Sequence, residues 1–273
     1  MSAQVAVLQF PGVNCEAESV RALERVGLTA EIFRWTRPAA ELRAYAAFLL
    51  PGGWSYQDRV RAGVLAAKDP LVGELAELAA AGRPVLGICN GAQVLVEAGL
   101  VPGEGAITLA LARNRMPHRS GYYTRWVHCR VEASSCLFTA HLDPGTVLPL
   151  PIAHGEGRFT SARRGHLAAL VRAGQAPLRS CTATGEEASD FPANPNGADA
   201  AVAAVSNRAG KVLAMMPHPE RVLDLGAISR SVGGAWGRLR DQVLEQNSAE
   251  VFGDAPGLQF FEGLKRHLQA VGV

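Results

Sequence analysis

A cysteine held between two glycines at the end of an apolar run is the first place in this chain where chemistry could occur. Gly87-Ile88-Cys89-Asn90-Gly91-Ala92-Gln93 follows the apolar run Pro84–Ile88 and precedes a helical pattern over Asn90–Ala98. A reactive side chain at a strand-to-helix turn, with glycine two positions to either side, has the logic of a nucleophile elbow. Only small neighbours fit so tight a turn, and the turn lifts the side chain above the sheet edge. The positive end of a helix also favours a thiolate, and open α/β sheets bind ligands at the carboxyl ends of their strands. On the motif alone, a small cysteine buried at a tight turn is the competing reading.

A thiol nucleophile needs a base, and Met216-Pro217-His218-Pro219-Glu220 supplies one. In a segment kept extended by its two prolines, positions i and i+2 face the same side. Glu220 can then hold one ring nitrogen of His218 while the other faces the thiol, as in a catalytic triad with Cys in place of Ser. Taken alone, His218 could equally be an exposed loop histidine. Leu50-Pro51-Gly52-Gly53 closes another apolar run. Paired glycines let the backbone approach a ligand, and the amides of Gly53 and Asn90 could form an oxyanion hole. Without the other motifs, a plain turn is the simpler reading. Ala153-His154-Gly155-Glu156-Gly157 ends a further run. No additional ligands cluster near it, so metal binding is discounted and a substrate-side or partner-side loop contact is preferred.

The elements that must position these residues follow an alternating pattern. Strands are predicted over Val5–Phe10, Ala30–Trp35, Ala47–Leu50 and Pro84–Ile88. Helical stretches separate them: one with Val20, Leu23 and Val26 on a face and Gly27 as its stop, a short one over Ala39–Tyr45, and one marked by Leu71, Leu75 and Leu78 and closed by Gly82. That alternation implies βαβ units and a mostly parallel sheet covered on both faces. The second half is richer in strands, with candidates at Trp126–Glu132, Val147–Ala153, Val202–Ser206 and Val212–Met216. The last two flank Asn207-Arg208-Ala209-Gly210, a hairpin turn. Asn194-Pro195-Asn196-Gly197 is a turn. Pro256 to about Ala270 forms a final helix, whose stripe of Leu258, Phe261, Leu264 and Leu268 is taken as core packing. Residues 222–253 are the least legible part; Trp236, Leu239 and Val243 hint at a helix there.

Composition narrows the function classes. With 273 residues, 48% of them hydrophobic, the chain can bury a large core, and residues 1–273 are expected to form a single domain. The net charge of +2, without a Lys/Arg run, gives no reason to expect a nucleic-acid partner. Five scattered cysteines without a C-x-x-C fit reduced thiols better than a disulfide framework or a zinc site. No signal peptide and no apolar stretch of membrane-spanning length are seen, so a cytoplasmic location is expected.

Taken together, Gly-Ile-Cys-Asn-Gly-x-Gln, Pro-Gly-Gly and His-Pro-Glu resemble the class I, or triad, glutamine amidotransferases. Finer motifs resemble one branch of that family, the glutaminase subunits of phosphoribosylformylglycinamidine synthases. They include Phe10-Pro11-Gly12-Val13-Asn14-Cys15, Gly53-Trp54-Ser55-Tyr56 with Asp58 and Arg61-Ala62-Gly63, Arg125-Trp126-Val127, Ile152–Gly157, Asn194–Gly197, Met215–Arg221 and Gly257–Phe261. The resemblance spans nearly the whole chain in order. It implies a flavodoxin-like α/β fold: an open, mostly parallel sheet with helices on both faces, plus some antiparallel strands in the second half.

The same resemblance implies that Cys89 attacks the side-chain amide of L-glutamine, with His218 held by Glu220 as base and acid. Gly53 and Asn90 would stabilise the oxyanion, and Gly52, Gln93, His154 and Glu156 would contact substrate. Ammonia would pass to a separate formylglycinamide ribonucleotide synthetase subunit, with a small third subunit as a further potential partner. No cofactor or metal is expected in this chain; ATP and Mg would bind the synthetase subunit. The chain departs from the family pattern in having Gln57 in place of a usual Gly, Trp54 in place of Phe and Ala92 in place of an aromatic. Two rival readings remain at this stage: a glutaminase serving another amination pathway, and a flavodoxin-like regulatory or redox protein that keeps only the elbow cysteine and needs no His-x-Glu pair.

Overall fold

The computed structural model describes residues 4–246, 251, 253 and 255–273. The first half builds a parallel sheet. Its strands β1 (Gln4–Gln9), β2 (Thr29–Arg34), β3 (Ala47–Leu50) and β4 (Val85–Ile88) lie within two residues of the expected runs. Every residue of β3 and β4 is buried, as strands covered on both faces require. Helices α1 (Glu16–Arg25), α2 (Pro70–Ala80) and α3 (Asn90–Glu97) connect them, with a 3-10 turn at Ala39–Ala44. Asp69 caps α2 by accepting from the Leu71 amide at 2.9 Å, and Pro70 occupies the first turn, where its missing donor does no harm.

The second half supplies β5 (Ala110–Ala112), β6 (Tyr123–Val131), β7 (Val147–His154), β8 (Arg158–Thr160), α4 (His166–Arg172), β9 (Leu178–Cys181), β10 (Val202–Ser206), β11 (Val212–Met215), α5 (Gly234–Glu245) and α6 (Leu258–Ala270). The main sheet has nine strands in the order β2-β1-β3-β4-β11-β10-β9-β6-β7. The pairings from β2 through β11 are parallel, and those from β11 through β7 are antiparallel. β10 and β11 pair across the expected hairpin turn. β5 and β8 form a separate two-stranded ribbon.

The order β2-β1-β3-β4-β11 is the flavodoxin-like order. The chain leaves β1 in one direction toward β2 and then crosses back to β3 and β4. Right-handed crossovers therefore put α1 on one face and α2 and α3 on the other. In agreement, α1 packs beside α6, while α2 packs on the turn at 39–44. This reversal opens a crevice beyond the carboxyl ends of β1, β3 and β4, where Asn14, Gly53 and Cys89 line one pocket.

Among the described residues of 222–253, Val222, Leu225, Ile228, Val232 and Val243 are buried against the fold. Helix α5 docks back on the sheet through Trp236, whose indole N–H donates to the Val147 carbonyl at the start of β7 at 3.0 Å. Buried Arg240 donates to the carbonyls of Ser229 and Val232, closing the preceding loop onto the helix. Positions 247–250 and 252 of this stretch lie outside the described residues. Among the described residues, no helix is long and apolar enough to cross a membrane.

Candidate active site

Cys89 stands between β4 and α3 with φ +51° and ψ −103°, a backbone that a non-glycine residue rarely adopts. The flanking glycines explain how the turn is held. A Cβ on Gly87 would lie 2.6 Å from Leu95 Cδ1, and one on Gly91 would lie 1.9 Å from the Leu50 carbonyl oxygen. The start of α3 is thus pressed against the end of β3 at a distance only glycine permits. The Cys89 amide donates to the Met215 carbonyl at 2.8 Å, tying the elbow to the end of β11. Its thiol meets the Ala153 carbonyl at 3.6 Å.

His218 and Glu220 follow β11. The segment is not extended, as the two prolines had suggested. Pro219–Arg221 is a 3-10 turn with Pro219 at its first position. Two residues of a 3-10 turn still place their side chains close enough to meet, and His218 Nδ1 lies 2.5 Å from Glu220 Oε1. Both side chains are buried. The His218 amide donates to Pro151 O on β7 at 2.8 Å. Burial opposes charge on this imidazole, but the Glu220 carboxylate, helped by the Cys89 and Cys15 thiols, holds its pKa well above the usual value. The turn is wedged between α1 and α6. Gly257, just before α6, passes so close that a Cβ there would lie 2.0 Å from Pro219 O. The C-terminal helix therefore buttresses the segment that carries His218.

Pro51-Gly52-Gly53 is more than a turn. A Cβ on Gly52 would lie 2.7 Å from His218 Cε1 and 3.5 Å from Cys89 Cβ. Gly53 has φ +144°, and a Cβ on it would lie 2.6 Å from Val13 Cα. The Asn90 amide opens α3 and is one of the donors that a helix leaves without an internal partner. The Asn90 side chain organises the adjoining loop. Its Oδ1 accepts from the Ser55 amide at 3.1 Å, and its Nδ2 donates to Asp58 Oδ1 at 3.1 Å and to Gln93 Oε1 at 3.0 Å. Gln93 Nε2 in turn donates to the Glu156 carbonyl at 2.7 Å.

These groups surround a pocket of about 270 Å³ lined by Gly53, Cys89, Gln93, His154, Glu156 and His218, together with Asn14, Trp54, Asp58, Arg113, Tyr122 and Arg221. The sequence motifs thus converge on one cavity. His154 forms its wall. Burial first, and then the His218 charge, push its pKa down to about 3, so its ring is neutral. Its Nδ1 pairs with Asn114 Oδ1 at 3.1 Å. Asn114 also accepts from the Gly157 amide and donates to the carbonyls of Gly121 and His154, fixing the whole 154–157 loop. Sequence reasoning did not find Asn114; an isolated asparagine 40 residues from its partner carries no local signal. It also did not assign a role to Asp58, whose pKa is raised to about 6 by burial and then by the Glu156 charge, against the Asn90 hydrogen bond.

A thiol and an imidazole oriented by a buried carboxylate, beside backbone amides, can attack an amide carbonyl, stabilise the oxyanion and protonate the departing amine. Residues 2–252 match the CobB/CobQ-like glutamine amidotransferase domain, which is the class this fold and pocket define. The chain is 41% identical to phosphoribosylformylglycinamidine synthase subunit PurQ of Methanothrix thermoacetophila, over 97% of this chain and 98% of that protein. It is 39% identical to a PurQ subunit of Thermus thermophilus, over 96% of this chain and 98% of the other. The solved structure of PurLQS from Thermotoga maritima superposes with a TM-score of 0.73 at 28% identity, covering 98% of this chain and 100% of that chain. The chain belongs to the family of phosphoribosylformylglycinamidine synthase PurQ subunits.

Proposed function

We propose that this chain hydrolyses L-glutamine and delivers ammonia to a formylglycinamide ribonucleotide synthetase subunit in purine biosynthesis. The observation that carries the reading is the convergence of Cys89, His218 and Gly53 on one pocket, with Asn90 opening the helix directly after Cys89, in a chain of this family. His218 takes the Cys89 proton, and the thiolate attacks the side-chain amide carbon. The amides of Gly53 and Asn90 receive the oxyanion. His218, oriented by Glu220, protonates the leaving ammonia, and water hydrolyses the glutamyl thioester.

Glutamine also brings an ammonium and a carboxylate that must be held. Asp58 and Glu156 offer carboxylates on one side of the pocket, and Arg113 offers a cation beside Glu156. Gln93 lines the pocket, and Gly52 packs against His218 and Cys89 beside it. ATP and Mg act on the synthetase subunit, and the likeness to the PurLQS structure from Thermotoga maritima supports both a synthetase and a small third partner. Residues 1–273 work as one domain, a reading supported by the single main sheet and by α6 folding back on α1. A cytoplasmic setting suits five free thiols.

The test is glutamate release from glutamine by the chain and by Cys89→Ala, each alone and with the synthetase subunit, formylglycinamide ribonucleotide and ATP. Release that requires Cys89 and rises with the complete mixture is expected. Release indifferent to the synthetase would redirect the ammonia to another acceptor, and no release in any mixture would end the glutaminase reading.

A further inference from the structure

The site contains a thiol that the proposed glutamine chemistry does not use. Cys15 lies at the start of α1, is 1% exposed, and does not line the glutamine pocket. It stands behind His218: a Cβ on Gly52 would be 3.3 Å from Cys15 Sγ and 2.7 Å from His218 Cε1, so thiol and ring converge on the same α-carbon. The sulfur accepts from Arg221 Nη2 at 3.1 Å and donates to Asn14 Oδ1 at 3.3 Å. Cys15 Sγ, a His218 ring nitrogen and a Glu220 oxygen all lie within 4.8 Å of one another, and all three residues are buried. His218 Nε2 and Glu220 Oε2 have no hydrogen-bond partner among the described residues.

We propose that Cys15, His218 and Glu220 form a binding site for a soft divalent metal ion of the zinc class, which opposes glutamine hydrolysis rather than serving it. The donor set decides the class. One thiolate, one imidazole and one carboxylate match zinc, whereas magnesium and calcium require oxygen ligands throughout. Ligand bonds of about 2.0–2.3 Å place tetrahedral ligands roughly 3.5 Å apart, so the ion must open the 2.5 Å His218–Glu220 hydrogen bond and draw Cys15 Sγ in from at most 4.8 Å. Cys15 and Arg221 have room for that adjustment, because the Arg221 side chain is 37% exposed and can swing outward as the sulfur turns to the metal. Two anionic ligands and a neutral ring then balance a divalent charge, and the pocket side is left for water as the fourth ligand. A coordinated His218 has no lone pair for the Cys89 proton. The effect on activity rests on the assignment of His218 as base; the binding itself does not.

The test titrates the full chain, stripped by chelator, with zinc ions against a chromogenic chelator, for wild type, Cys15→Ser and Cys181→Ser. Wild type and Cys181→Ser should bind one ion per chain. Cys15→Ser should bind about 10–100-fold more weakly, since even a residue that only supports a ligand carries that much affinity. Cobalt(II) in the wild-type chain should give a thiolate-to-metal charge-transfer band, a readout that needs no variant. In the complex with the synthetase subunit, zinc should stop glutamate release, a chelator should restore it, and Cys15→Ser should resist relative to its own metal-free rate. Zinc bound equally by wild type and Cys15→Ser, or lost only in Cys181→Ser, or no cobalt–thiolate band, would overturn the proposal. Cys15-dependent zinc binding in a chain that releases no glutamate would uphold the metal site while ending the glutaminase reading.

Discussion

Gly52 passes directly under the His218 ring, and its φ is not in the left-handed region, so alanine can adopt its backbone. What alanine cannot do is keep the ring where it is. The new Cβ would lie 2.7 Å from His218 Cε1, and ordinary contact begins at 3.4 Å, so the imidazole must retreat by about 0.7 Å. The ring cannot tilt freely, because Nδ1 is held by Glu220 at 2.5 Å. The retreat therefore changes the approach of Nε2 to the Cys89 thiol. A misplacement near 1 Å lowers a rate by about 10²-fold, or about 2.7 kcal/mol in barrier. The strain on folding should stay near 1 kcal/mol, the lower end for one added methyl in a packed site, which is a fall of a few degrees in melting point. Glutamate release by Gly52→Ala with the synthetase subunit present should thus drop about a hundredfold, mainly in kcat, while thermal unfolding moves little. Release within about threefold of wild type, by a folded variant, would show that His218 does not need the position the structure gives it.

Three further perturbations test separate parts of the site. Gly257→Ala would drive a Cβ to 2.0 Å from Pro219 O, which is backbone and cannot rotate away; melting point and glutamate release should fall together, by about 1–3 kcal/mol in stability, and an unchanged melting point would refute the buttress role of α6. Asp58 has a folded pKa near 6, above its usual value, so the native chain holds a proton between roughly pH 4 and 6 that the unfolded chain releases. Stability from this group therefore declines as pH rises through that window, while a carboxylate fit to bind the glutamine ammonium appears. KM for glutamine should fall as pH rises through about 6 and level off above 7, and an Asp58→Asn variant with the same pH dependence would refute the assignment. Gln57 has φ +60° where the family pattern has glycine; Gln57→Gly removes about 1–2 kcal/mol of left-handed strain against 0.5–1 kcal/mol of added chain entropy, so its urea-derived stability should rise by roughly 0.5–1 kcal/mol, and a fall would refute the strain argument.

What could be read from the sequence was what is local. The elbow, the His-Pro-Glu triplet and the Pro-Gly-Gly turn each compress their geometry into a few adjacent residues, so residue type alone reports it. The parallel strands were equally legible, because burial on both faces leaves uninterrupted apolar runs such as Ala47–Leu50. Strand β9 was missed because its Arg179 and Ser180 break the apolar run. They are buried all the same, with Arg179 paired to Glu187 and donating to the Ala200 carbonyl at 2.7 Å. β5 and β8 are three residues each, too short to show a period. The extended conformation expected at 217–220 failed because two prolines restrict φ without choosing between extended and 3-10 backbone, and packing between α1 and α6 makes that choice.

The same distinction separates the two thiols of the site. Cys89 announces itself, since its neighbours in sequence are also its neighbours in the turn. Cys15 closes the Phe10–Cys15 motif but has no partner visible in the sequence, because Arg221 is 206 positions away and His218 nearly as far. Only the fold, by placing the carboxyl ends of β1, β3, β4 and β11 side by side, makes these residues one cluster. A group whose chemistry depends on long-range convergence is silent in the sequence. It is therefore where a structure adds most to function: Asn114, Asp58 and Cys15 all belong to this class, and the pH profile of Asp58 and the metal titration of Cys15 reach two of them directly.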